Sequence, residues 1–305
     1  MTTHKSQPIS TPAPLTTMAS AAGCEPAAAQ PLWPSPASDI ELPSGLTSFV
    51  EAGQGFPLVL VHGLLAYSFS WRKNIPDLAQ HFRVFALDLA GCGHSGTLKQ
   101  GTYGVEAWSR QLEEFLDTMG LRTVHLLGTS AGGAVALDFA ARCPDRVEKL
   151  VLAAPVNPFS RRVVFLAGFY ASIGLPSGLL NPLVKQAPKI LPWLFRHRFY
   201  SDPDRITPET VPGYLEGFRQ ETTALVLRQS ICDWKPADMR STLSRVRMPI
   251  LLLWGDKDKV NPPSGIPDLV QALPKASVVM ISHAGHLCYE EVPEVFNQHV
   301  LSFFR

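Results

Sequence analysis

From Leu46 to the C-terminus the chain alternates short, wholly apolar runs with longer amphipathic stretches, a pattern that suits a parallel sheet wrapped by helices. Strands buried on both faces read as continuous Val, Ile and Leu. Residues 47–52 and 58–61 read as two strands joined across Gly53-Gln54-Gly55, and 83–89 as a third after a helical stretch near 72–80. Trp108, Leu112, Phe115, Leu116 and Met119 recur at helical spacing in 105–119, which Gly120 ends. A strand at 124–127, a helix at 131–142 and a strand at 147–153 follow. The strand pattern then stops and resumes only at 249–254, before a last strand at 277–281 and a closing amphipathic helix at 292–304.

The expectation is an α/β fold, a mostly parallel central sheet with helices on both faces, built from 41–155 and 247–305 and interrupted by a helical insertion at 156–246. That insertion is rich in Phe, Leu, Pro and Arg. One of its helices is expected to start at Thr207, a good N-cap, with Pro208 at the first helical position and Glu209 behind it. Residues 1–40 are dominated by Pro, Ala, Ser and Thr without hydrophobic periodicity and read as a disordered extension. An export signal is the competing reading, because Lys5 precedes a weakly apolar run and Ala21-Ala22-Gly23-Cys24 faintly resembles a lipoprotein cleavage site.

At 305 residues, 46% hydrophobic and 17% charged, the chain can bury a sizeable core. Its net charge of +1 creates no global field for nucleic acid or an anionic surface, which points to a small-molecule partner. The five cysteines, at 24, 92, 143, 232 and 288, form no C-x-x-C pair and fit a reducing, cytoplasmic compartment better than a disulfide framework. No run approaches ~18 apolar residues, so no membrane span is expected. Oligomeric state is not encoded in any local pattern.

The strongest chemical signal is Gly128-Thr129-Ser130-Ala131-Gly132-Gly133, placed between the strand 124–127 and the helix that follows. In this G-x-S-x-G arrangement the glycines permit a turn too tight for side chains, and its strain lifts the serine hydroxyl clear of the sheet. A serine hydroxyl needs a base within hydrogen-bond reach. His286, in Ser282-His283-Ala284-Gly285-His286 after the last strand, is the candidate; His283 lies nearer the strand end and lacks the preceding glycine. The acid that orients this base is expected after the penultimate strand, where Trp254-Gly255-Asp256-Lys257-Asp258 offers two aspartates. His81, His125 and His197 read as surface or packing residues.

These motifs together resemble the α/β-hydrolase family. Its members commonly show W-G-x-x-D-x-x-x-P at this point, which selects Asp258 with Pro262 and leaves Asp256 as a neighbour. The order Ser130, Asp258, His286 is also the family's serine–acid–histidine order. An acyl-transfer oxyanion needs two backbone N–H donors. One is expected from Ala131, and His62-Gly63-Leu64 resembles the family's H-G-x, which makes the Leu64 N–H the second; His62 itself is given no catalytic role. The loop from Asp88 to Ser95 matches D-x-x-G-x-G-x-S and reads as turn chemistry, with Cys92 and Cys288 packing rather than reacting. No dinucleotide fingerprint and no metal-ligand spacing is present, so no cofactor and no metal is expected. In relatives an insertion at this place roofs the active site.

The resemblance implies a serine hydrolase. Cleavage of carboxylic esters with small to medium apolar acyl groups is the leading expectation, with a small apolar ester as the partner. Phe165, Leu166, Phe169, Tyr170, Leu191, Trp193, Leu194, Phe195 and Phe199 are pocket candidates. Carbon–carbon hydrolysis of ring-fission diketones, for which Arg196, Arg198, Arg219 and Arg228 would supply cations, and a non-catalytic ligand-binding homologue are the alternatives.

Overall fold

The apolar runs assemble into one eight-stranded sheet. A computed structural model describes residues 38–160 and 177–305, apart from Arg219, Glu221 and Asp233. Its strands are β1 (Ser38–Leu42), β2 (Gly45–Ala52), β3 (Pro57–Val61), β4 (Arg83–Leu87), β5 (Val124–Thr129), β6 (Val147–Ala153), β7 (Ile250–Gly255) and β8 (Ala276–Ile281), in the order β1-β2-β4-β3-β5-β6-β7-β8. The β1/β2 and β2/β4 pairs are antiparallel and every other pair is parallel.

Alternate side chains along the central strands feed two separate cores. Val59, Val61, Phe85, Leu126 and Leu152 face one way, where they pack under α1 (Val105–Thr118) and α2 (Ser130–Arg142). Leu58, Leu60, Val84, Leu127 and Val151 face the other way. Because both faces are covered, these strands carry no polar alternation.

The insertion contains α3 (Ser177–Lys185), α4 (Ala187–Leu194), α5 (Thr210–Glu216), α6 (Thr223–Cys232) and α7 (Pro236–Thr242). After it come α8 (Ile266–Ala272), a single turn at Cys288–Glu291, and α9 (Pro293–Phe304), whose Phe296 and Val300 cover the second sheet face. A buried polar knot fastens α5 to the core. Arg72 Nη2 donates to Glu290 Oε1 at 2.5 Å and to Thr210 Oγ1 at 2.9 Å, and Tyr214 OH donates to Glu290 Oε2 at 2.7 Å. Glu290 is fully buried, so losing Arg72 would strand its charge.

Several local expectations are corrected. Strand β1 begins inside the stretch read as the N-terminal extension; its polar sequence and single buried side chain, Leu42, concealed an edge strand held by pairing with β2. Strands β2 and β3 are joined across Gly53-Gln54-Gly55 as expected, and β4 lies between them in the sheet. The helical stretch near 72–80 reduces to one turn, Ile75–Leu78. The helix expected at Thr207 starts at Thr210, and Thr207 bonds instead through its hydroxyl to Glu209 and through its carbonyl to the Thr210 N–H. Residues 1–37 and the pocket candidates Phe165, Leu166, Phe169 and Tyr170 lie outside the described residues, as does Arg219.

Candidate active site

Ser130 sits where β5 ends and α2 begins, at φ 51°, a conformation costly for a residue with a side chain. Its neighbours show why the turn needs glycine. A Cβ at Gly128 would strike the Gly132 carbonyl, and one at Gly132 would strike the carbonyls of Val61 and His62. Helix α2 therefore starts pressed against both its own strand and β3. As a first-turn residue of α2, Ala131 has a backbone N–H without an intrahelical acceptor.

The loop after β3 closes over the same spot. A Cβ at Gly63 would lie 3.2 Å from Ser130 Cβ. His62 holds this loop: its Nε2 accepts the Leu89 N–H at 2.9 Å, so Nδ1 carries the proton and donates to the Gly63 carbonyl at 2.8 Å. Burial lowers the His62 pKa, which keeps the ring neutral as that pattern requires. Leu64 and Ala131 both line the cavity in front of Ser130.

His286 approaches from the loop after β8. Its Nδ1 donates to Asp258 Oδ2 at 2.8 Å, and both side chains are buried. Asp258 Oδ1 accepts the N–H groups of Val260 and Asn261 at 2.8 and 2.9 Å, which pins the carboxylate. The next anchor is Asn261, whose amide donates to the Ala154 carbonyl at 2.9 Å and whose own carbonyl takes the Trp254 indole at 2.8 Å. Asp256, by contrast, accepts the Ala284 N–H at 3.3 Å and pairs with Lys257 on the surface side. His283 is exposed, at φ 55°.

Glu291, which the sequence marks only as the start of the closing helix, braces the histidine loop. Its Oε2 accepts the Gly285 N–H at 2.6 Å, and its Oε1 accepts those of Ser201 and Asp202 at 2.9 and 2.8 Å. A Cβ at Gly285 would lie 2.5 Å from the Phe199 carbonyl, so glycine is required for that close approach. The Glu290-Glu291 pair was visible in the sequence, but nothing local marks that both carboxylates are buried or which of them meets the histidine loop.

Ser130 and His286 line one cavity of about 390 Å³. Its wall from the insertion includes Ile190, Leu191 and Leu194 of α4, and also Phe199, Tyr214 and Leu227. Of the other pocket candidates, Phe195 is buried in the second core and Trp193 is exposed. Among the described residues the lining carries no Lys, Arg, Asp or Glu. Asp88 braces the loop that follows it: its carboxylate accepts the N–H groups of Ser68 and His94. Burial pushes the Cys92 thiol up to about 12 and raises Cys288 further, so both stay protonated. No group of three or more His, Cys, Asp or Glu among the described residues is placed to hold a metal ion.

A family model described as the alpha/beta hydrolase fold matches residues 57–293. The dihydrolipoyllysine-residue acetyltransferase component of the acetoin cleaving system of Pseudomonas putida is 33% identical over 258 residues, 82% of this chain. The match spans 64% of that protein, less than two thirds of its length. The 2-hydroxy-6-oxo-2,4-heptadienoate hydrolase of Pseudomonas putida is 31% identical over 253 residues, 79% of this chain and 86% of that protein. Among solved structures, naproxen esterase (carboxylesterase NP) of Bacillus subtilis is similar with a TM-score of 0.70 at 25% identity, over 90% of this chain and 93% of that one.

Proposed function

This chain belongs to the α/β-hydrolase family, and from that premise we propose that it hydrolyses carboxylic esters of small to medium apolar acyl groups through an acyl-enzyme on Ser130. The observation that carries this reading is the shared cavity: a strained serine and an aspartate-bound histidine open onto one apolar space.

In this mechanism Ser130 Oγ attacks the ester carbonyl as His286 Nε2 takes its proton. Asp258 holds the Nδ1–H tautomer and stabilises the imidazolium. The backbone N–H groups of Ala131 and Leu64 receive the oxyanion. His286 returns the proton to the departing alcohol, and water, activated by the same ring, then attacks the acyl-enzyme to release acid and free serine. Residues 156–246 act as a cap that sets acyl choice, since Ala187, Ile190, Leu191 and Leu194 of α4, with Phe199, Tyr214 and Leu227, supply much of the cavity wall.

A neutral acyl group suits this lining, because a carboxylate held there would lose its hydration without a cation among the described wall residues. Carbon–carbon hydrolysis of a ring-fission diketone is the second reading, and the relative that carries that activity in its name supports it. Of its candidate cations, Arg196 is exposed and Arg198 donates to the Lys259 carbonyl at 2.6 Å. Four free cysteines among the described residues support a reducing, cytoplasmic location.

The test is fluorophosphonate labelling together with a screen of p-nitrophenyl esters beside one ring-fission diketone. Labelling on Ser130, and loss of about 10³-fold or more in turnover in Ser130→Ala, is the expected result. Undiminished turnover in that variant overturns the nucleophile. Preference for the diketone overturns the ester.

A further inference from the structure

The helix that walls the cavity has a second face. In α4, Ala187, Ile190, Leu191 and Leu194 turn inward to the cavity, while Pro188, Lys189, Pro192 and Trp193 are exposed. This is a clean two-sided split at helical spacing. Trp193, at 54% exposure, is the most exposed large hydrophobic side chain among the described residues. Its ring lies beside that of His197, with centroids 5.2 Å apart, and Lys185, Lys189 and Arg196 of the same stretch of chain are exposed and without an ion pair among the described residues.

The charge of this segment departs from that of the chain. Across 177–201 there are four Lys or Arg and not one Asp or Glu. The whole chain holds 27 cations against 26 acidic residues, so the remainder is net acidic and the near-zero total conceals a locally basic segment, which ends at Asp202. Clustered cations repel one another in water, and an exposed indole gains little there. An anionic bilayer surface relieves both: headgroup phosphates neutralise the ammonium and guanidinium groups, and indole is favoured at headgroup depth.

We propose that the outward face of α4, together with the end of α3 before it and the turn after it, docks this protein on an anionic lipid surface. The occupant follows from charge complementarity together with the exposed indole of Trp193. Given the ester reading above, docking would set the cap of the apolar acyl cavity against the phase where apolar esters concentrate. Docking itself is independent of that reading and is measured without turnover.

The test is flotation of the full chain with vesicles of phosphatidylcholine alone and of phosphatidylcholine mixed with phosphatidylglycerol. The expected result is binding to the mixed vesicles only, lost in concentrated salt. Combined Lys185→Gln, Lys189→Gln and Arg196→Gln should lower partitioning by about a hundredfold, at about fivefold per charge. Trp193→Ala should weaken it several-fold, and the tryptophan emission shift on binding should vanish in Trp193→Phe. All four side chains are exposed, so melting curves should be unchanged. Equal binding to both vesicles, no binding to either, or undiminished binding by the charge variant overturns the proposal. So does a dimer in solution that the charge variant converts to a monomer, since a second copy would then own this face.

Discussion

Glu291 Oε2 accepts the backbone N–H of Gly285, one residue before His286, at 2.6 Å. The same carboxylate takes two N–H groups from Ser201 and Asp202 in the insertion. One buried charge thus joins the loop that carries the proposed base to the segment that flanks the cavity. Hydrogen bonds to a charged acceptor are worth roughly 1.5–3 kcal/mol each, and an amide in its place would point a donor at a donor.

Glu291→Gln is therefore expected to lower kcat by about 10- to 100-fold with KM little changed, because it displaces the histidine loop rather than the cavity wall. A Tm fall of several degrees should accompany it, and Glu291→Asp should recover part of both losses. Wild-type kcat in the glutamine variant would refute this role.

The two aspartates after β7 should separate cleanly. Asp258→Asn is expected to cost as much as about 10⁴-fold in kcat, through the wrong histidine tautomer and an unstabilised imidazolium. Asp256→Asn touches only the Ala284 N–H and Lys257 and should stay within about threefold. Steady-state kinetics on one ester decides the ranking, and the opposite order would show that the acid is misassigned.

Acyl length probes the cavity. Each buried methylene is worth roughly 0.8 kcal/mol, so kcat/KM should rise by at most about fourfold per carbon until the space fills. Ile190→Trp, on the α4 wall, should move the optimum to shorter chains. A profile with acetate best, or one indifferent to this substitution, would argue against the cap as the determinant.

His125 makes stability depend on pH. Its ring stacks on Phe304 at 4.5 Å with Phe56 and Phe82 close by, and its Nδ1 has no hydrogen-bond partner among the described residues. Burial first, and the Lys149 charge second, lower its pKa to about 4. The unfolded chain binds this proton below about 6.5 while the folded ring refuses it, so stability present above that pH is lost as pH falls toward about 4. That difference bounds the loss at roughly 3 kcal/mol. His125→Phe keeps a ring without titration, and Tm measured between neutral and mildly acidic pH should fall less steeply; an unchanged slope would rule the residue out.

What the sequence determined by itself was local or periodic. The apolar runs announced buried strands because side chains alternate across a sheet whose two faces are covered. Gly128, Ser130 and Gly132 announced a tight strand-to-helix turn because only glycine tolerates the carbonyls pressed against it. The loop position favours His286 over His283, whereas only the resemblance to the family favours Asp258 over Asp256.

Tertiary structure decided what depends on residues far apart in the chain. The order β2-β4-β3 rests on which strands share backbone hydrogen bonds, and no residue type encodes that. Strand β1 is polar because an edge strand is held by its partner rather than by burial. Leu191 and Trp193 are both large apolar residues on one helix, yet one walls the cavity and the other meets solvent, since packing against the core chose the face. Glu291 shows the same limit: its three N–H donors come from two loops that touch only once the insertion has folded onto the sheet.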